Sequence, residues 1–309
     1  MPRIWIPFAA ALAAIACSSS GGDVACRAGA DCASGICLTN GTCAPVTSSD
    51  ASIAQDAPST SDAQSYDASG YDASQSGCVP NDDGTITAAE APLGPGLHAK
   101  FRVAQNATVS TAGTTQNDGS RVWDLTASLS GDQDVEIDTN DVSGAWFAPQ
   151  FATASYSTLL SPTSTLLGVF RFGGDALALE GVASPSQSGA YTEVTYSPEA
   201  LMVQFPMTMN STWSSNSTVS GTASGIPAYY EESYQSKVDA YGSIKTPYGT
   251  FQVLRIATVL TRTVGATVTI TRSFGFFAEC ATQVATIVSQ ADEPTEEFTN
   301  AAIVERLTP

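Results

Sequence analysis

The sequence is poor in the residues from which most catalytic and nucleic-acid sites are built. Among 309 residues there is one histidine, His98, and three lysines, with 12 Lys and Arg against 30 Asp and Glu and a formal net charge of -18. A single imidazole leaves little room for a Ser/His/Asp triad, a Cys/His pair or a multi-histidine metal site. So acidic a chain offers no basic stripe to a phosphate backbone, and nucleic acid is not an expected partner. The same sign opposes electrostatic docking on anionic lipid. No G-x-S-x-G, H-E-x-x-H, Walker loop or dinucleotide fingerprint occurs, and no long amphipathic helical period is present. The expectation is a protein that is not an enzyme and that holds no cofactor, with calcium as the one exception weighed below.

Hydrophobic residues at 43% nevertheless suffice for one sizeable core. The segment MPRIWIPFAAALAAIAC places one cation, Arg3, before an apolar run that ends in small residues. This is the pattern of a secretory signal peptide over residues 1–16, too short to serve as a membrane span. Its end, Ala14-Ile15-Ala16-Cys17, resembles the lipobox of bacterial lipoproteins, with Ala14 where leucine is usual, and a flexible tether, residues 17–25, follows. The resemblance implies that Cys17 carries the lipid and that the chain reaches a membrane through acyl chains, more than one being needed for stable attachment. Seven cysteines are an odd number; setting Cys17 aside leaves six for an oxidising compartment.

Four of those six, Cys26, Cys32, Cys37 and Cys43, fall within eighteen residues, in a module over residues 26–45 too short to hold a shape without covalent closure. The C-x2-C spacing of a zinc site is missing, so disulfides are expected there. The string DCASGIC followed by GTC resembles short cysteine-rich modules of surface lipoproteins in gliding Gram-negative predators, and that resemblance implies an outer-membrane location. Residues 46–77, rich in Ser, Asp, Ala and Gln with recurring Asp-Ala pairs, read as a disordered, self-repelling linker. The remaining thiols, Cys78 and Cys280, would close a loop of about 200 residues if paired, for which the chain-entropy model gives on the order of 5 kcal/mol.

Residues 78–309 read as one mainly β domain. Tyr234, Ser236, Val238, Ala240, Gly242 and Ile244 alternate with more polar neighbours. Thr246-Pro247-Tyr248-Gly249 turns the chain, and runs at 251–264, 266–274, 283–289 and 297–306 continue an antiparallel meander. Shorter strands are expected at 99–108, 121–128, 166–172, 176–180, 191–196 and 201–205, and a short helix fits residues 156–167. Phe205, Pro206 and Trp213, followed by Gly242, Thr246, Pro247, Gly249, Thr250, Phe251, Leu254 and Arg255, resemble a recurring pair of segments in secreted bacterial β proteins, some similar to the open half-barrel of lipoprotein carriers. That resemblance implies an open half-barrel, with a sandwich as the alternative. Arg255, inside an apolar run, is expected to pair with a carboxylate or to lie at the rim.

Candidate ligand groups are few. Asn81, Asp83 and Glu90 fall at the third, fifth and twelfth positions of a calcium loop centred on Gly84, but Val79 occupies the first, so a polar turn is the favoured reading. Asp132, Asp134, Glu136 and Asp138 alternate along one strand face, which reads as a solvated face or a guarded edge, with a bridging cation as the sharper alternative. His98 reads as a surface or turn residue. Taken together, the sequence suggests a lipid-anchored cell-envelope protein displaying a non-catalytic domain that binds an apolar ligand or a cell-surface partner. A structural or adhesion role, and a carboxylate-based or calcium-assisted polysaccharide hydrolase, are the alternatives.

Overall fold

A computed structural model of the chain describes residues 78–309. The signal segment, Cys17, the module containing Cys26, Cys32, Cys37 and Cys43, and the linker lie outside the described residues. The centre of the fold is the meander expected from the sequence: β-strands Ile226–Lys245, Thr250–Val264, Thr267–Ala278, Thr282–Ser289 and Asn300–Leu307. In chain order the strands are β1 (Thr85–Ile86), β2 (His98–Thr108), β3 (Thr114–Thr115), β4 (Arg121–Asp124), β5 (Gln133–Asp138), β6 (Tyr156–Leu159), β7 (Leu167–Gly173), β8 (Ala176–Ala183), β9 (Glu193–Gln204), β10 (Met207–Thr208) and β11 (Thr212–Ala223), followed by the five meander strands as β12 to β16. One sheet of fourteen strands runs in the order β5, β2, β16, β15, β14, β13, β12, β11, β9, β8, β7, β6, with β4 laid parallel on β12 and β3 on β4. The two ends of this path meet. Asn140 and Ser157 exchange backbone hydrogen bonds of 2.7 and 2.8 Å, and the sheet is nearly closed into a barrel.

Residues facing one another in neighbouring strands share a face, so the pairing register separates inside from outside. One row runs Gln133, Val103, Glu305, Thr286, Gly275, Ile256, Val238 across seven strands. Val238 and Ile256 pack in one cluster with Leu254 and Phe277, and also with Tyr156, Leu177 and Val203 from the opposite arm of the sheet. This face is therefore the barrel interior. The reverse face of β12 to β16 and β2 carries Phe274, Phe276, Ala285, Ile287, Val304 and Ala104, and is covered by Trp123, Leu125 and Phe298. Each large apolar side chain so buried contributes roughly 1.5–3 kcal/mol.

The alternation along β12 is as the sequence suggested, with every even residue from Glu232 to Ile244 buried or nearly so. A bulge at Asp239 changes what that means. Val238 pairs with Ile256 and Ala240 with Arg255, so Asp239 is the extra residue and joins Ala240 on the outer face. Gly242 then lets β4 approach. Its φ is +151° and a Cβ there would lie 1.9 Å from the Arg121 carbonyl oxygen, so the parallel contact needs the missing side chain.

Three details differ from the sequence reading. Residues 156–167 hold strand β6 and a turn rather than a helix, because Tyr156 and Leu159 pair with Phe170 and Leu167. The expected strands at 191–196 and 201–205 are one strand, β9, whose pairing with β8 is broken by bulges. Strand β11, rich in Ser and Thr, carried too little hydrophobic contrast to be anticipated; Trp213, Ser217 and Val219 are its buried positions. Cys78 and Cys280 are bonded, a separation of 202 residues.

Candidate functional site in the barrel interior

The residues singled out from the sequence are placed as follows. The Asn81 side-chain amide donates to Glu90 at 2.9 Å, and Glu90 also accepts from the backbone N–H and hydroxyl of Thr87 at 2.9 and 2.8 Å. Asp83 accepts from the Thr85 N–H at 2.7 Å. These side chains thus close a polar turn, and Glu279 receives the backbone N–H groups of Asn81 and Asp82. Among the described residues, no group of three or more His, Cys, Asp or Glu side chains gathers in a metal-binding arrangement.

The acidic face is solvated, as expected, on the end strand of the sheet order, and its carboxylates meet partners across the pair. His98, Lys100 and Arg102 of β2 stand directly opposite Asp138, Glu136 and Asp134 of β5. His98 Nδ1 lies 2.6 Å from Asp138 and Arg102 Nε 2.9 Å from Asp134, while Asp132 bonds the Arg306 guanidinium. Lys100 and Arg102 thus stand against opposite charges across the strand pair, with His98 hydrogen-bonded to Asp138 at its end. His98 is exposed at the start of β2, in keeping with a surface residue.

Arg255 has a carboxylate partner on each side. Only 1% exposed, it donates to Asp239 at 2.6 Å, to Glu297 at 2.7 Å and to the Thr111 carbonyl at 2.6 Å, and its guanidinium lies 4.1 Å from the Phe274 ring centroid. Burial works to raise the Glu297 carboxyl, and the bonds from Arg255 outweigh it, leaving that group lowered. The Asp239 bulge is what brings this carboxylate to the Arg255 side of the sheet. The guanidinium is buried and fully engaged, while Glu297 keeps contact with solvent.

Inside the barrel two polar groups interrupt the apolar wall. Glu232, whose side chain is fully buried, accepts from Arg262 at 2.6 Å and from the Tyr234 hydroxyl at 2.7 Å. Burial first, and then the Glu232 charge, holds the Tyr234 phenol above its ordinary range. This ion pair is self-contained.

The second group is Glu305 with Thr286 and Gln283. Thr286 stands opposite Glu305 and donates its hydroxyl to it, while Gln283 donates to Thr286 Oγ1. Glu305 is deep in the fold, yet its side chain retains partial exposure. Burial pushes its carboxyl up to about 7, against the lowering effect of the Thr286 bond. None of the ion pairs among the described residues includes it.

Beside Glu305 in the same row, Val103 forms one wall of a hollow of about 460 Å³, with Gln105, Gln133 and Val135 on the sheet and Pro162 to Thr165 of the β6–β7 loop as its other side. The volume is in the range that takes a small organic molecule. Glu305 was not anticipated as a site residue. Its signal was present in the sequence, as a lone carboxylate between Ile303 and Leu307 in a strand of period two. A comparison of the chain with protein-family models, with curated proteins and with solved structures gives no match.

Proposed function

We propose that this is a lipid-anchored cell-envelope protein whose β-barrel binds an apolar ligand in its interior and does not catalyse a reaction. One observation carries the reading: the nearly closed sheet has an apolar inner wall that includes Leu254, Ile256 and Phe277, and the register row of Ile256 ends at Val103 and Gln133, which border a hollow of ligand size. Buried carboxylates elsewhere, Glu232 and Glu180, are engaged by Arg262, Arg171 and neighbouring hydroxyls, an arrangement suited to holding the barrel together. The signal-like segment, Cys17 and the acidic linker support delivery to the outer membrane of a Gram-negative bacterium, with the barrel displayed on a tether.

Native mass spectrometry of the purified full-length protein, with calorimetric titration of octanol, tests the ligand half of the reading. Retained small apolar molecules, or saturable octanol binding at one site, are expected. An empty barrel that takes up no octanol would leave a structural or adhesive role. Metabolic labelling with an alkyne fatty acid tests the anchor: incorporation that disappears in Cys17→Ser is expected, and an unlabelled wild-type chain would overturn it.

A further inference from the structure

On the outer face of the sheet, four neighbouring strands bring a bank of hydrogen-bonding side chains to one groove. The register puts Ser197 of β9, Thr218 of β11, Glu231 of β12 and Thr263 of β13 in one row, and Asn216, Ser233 and Thr261 in the next, on the face opposite Glu232 and Tyr234. All seven line a groove of about 380 Å³, with Pro198 at its side, a volume in the range of small-ligand sites. Among the described residues, none of the seven side chains has a hydrogen-bond partner. Hydroxyls in the turns of this chain are instead tied to a neighbouring carboxylate, as Ser120 is to Asp118 and Thr295 to Glu293. Beyond the Ser197–Thr218 pair β9 leaves β11, and there the inward-facing Ser217 also borders the groove. It is 3% exposed, and its hydroxyl is unpartnered, a costly state for a buried polar group. Glu232, which borders the groove as well, is already engaged by Arg262 and Tyr234. No lysine or arginine lines the groove, and Glu231 is its one exposed carboxylate.

We propose that this groove binds a short stretch of a neutral glycan, as a second site independent of the barrel interior. Sugar hydroxyls both donate and accept hydrogen bonds, and so do the side chains of Ser, Thr and Asn that form the two rows. A carboxylate only accepts, so Glu231 takes the protons of two adjacent sugar hydroxyls in charge-assisted bonds, the strongest in the set. Phosphate, sulfate and uronate groups find no cation here and meet the Glu231 charge instead, while an acyl chain has Pro198 alone to lie against. The next residue on the same face of β12 is Tyr229, 70% exposed and roughly 7 Å from Glu231 along the strand. Its ring extends the surface past the groove with a flat apolar plane that suits the C–H face of a sugar.

The test is a printed array of neutral, amino and uronic acid oligosaccharides probed with the fluorescently labelled full-length protein, followed by calorimetric titration of the best-bound member. Binding confined to neutral glycans is expected, and it should persist in about 0.5 M sodium chloride because no ion pair forms with the ligand. Glu231→Ala should weaken the titrated glycan about tenfold and Thr261→Val about threefold. Octanol uptake by the interior should be the same in both variants as in the parent, which also shows that they fold. Absence of any bound neutral glycan, a preference for amino or uronic acid glycans, or an affinity that either substitution leaves unchanged would overturn the proposal. Since octanol reports the interior separately, each of those results leaves the interior reading standing.

Discussion

At the scale of single residues, the fold is governed by where charge is neutralised. Arg255 and Arg306 are each 1% exposed at the side chain, and each is held by a carboxylate and a backbone carbonyl. Glu305 has a hydroxyl alone, and its titration is accordingly linked to folding. In the unfolded chain it titrates near an ordinary glutamate, and in the folded chain near 7. Between those values the folded state binds the proton that the unfolded state has lost, so this residue's contribution to stability falls as pH rises from about 4.5 to 7. Glu305→Gln should therefore match the parent in urea denaturation at pH 5 and exceed it by about 2 kcal/mol at pH 8, allowing for partial contact with solvent. A variant less stable than the parent at pH 8 would mean that the ionised carboxylate is stabilised within the fold.

At the scale of elements, the strands of the meander were readable because burial on one side imposes a period of two, and β12 keeps that period over its inner length. The bulge at Asp239 was not readable, since an extra residue leaves the parity of the buried positions intact while moving Asp239 and Ala240 to the other face. The ladder between β2 and β5 was written in the sequence in two places, as alternating polar residues in His98-Ala-Lys-Phe-Arg102 and alternating anions from Asp134 to Asp138, but each half taken alone shows a solvated face and not its partner. Local pattern gives an element's type, and pairing requires both partners together. Arg306 illustrates how such partners fasten elements: it draws the segment containing Leu125, Ala127 and Asp132 onto β16. Asp132→Ala should cost about 3 kcal/mol in urea denaturation by leaving a buried cation without its counterion. Adding Arg306→Met should recover much of that loss, and additive losses in the double variant would show that the two residues act separately.

At the scale of the whole molecule, the barrel has a strong side and a seam. Strands β12, β13 and β14 pair over long registers, whereas the ends of the sheet order meet through the Asn140–Ser157 bridge. Hydrogen exchange should find the amides of β5 and β6 opening well before those of β13, by a factor of about a hundred or more, since the seam has few bonds to break. Uniform protection around the barrel would contradict a weak seam. That seam adjoins the hollow beside Val103, so the part of the wall that opens most readily is next to the interior site proposed above. The disulfide bears on a different property, the response to mechanical load. A pull on the chain ahead of Cys78 passes through the bond to Cys280, at the turn between β14 and β15, and bypasses everything between. Roughly 700 Å of chain is thereby withheld from extension, and a barrel tugged by its N-terminal side can lengthen only through residues 281–309.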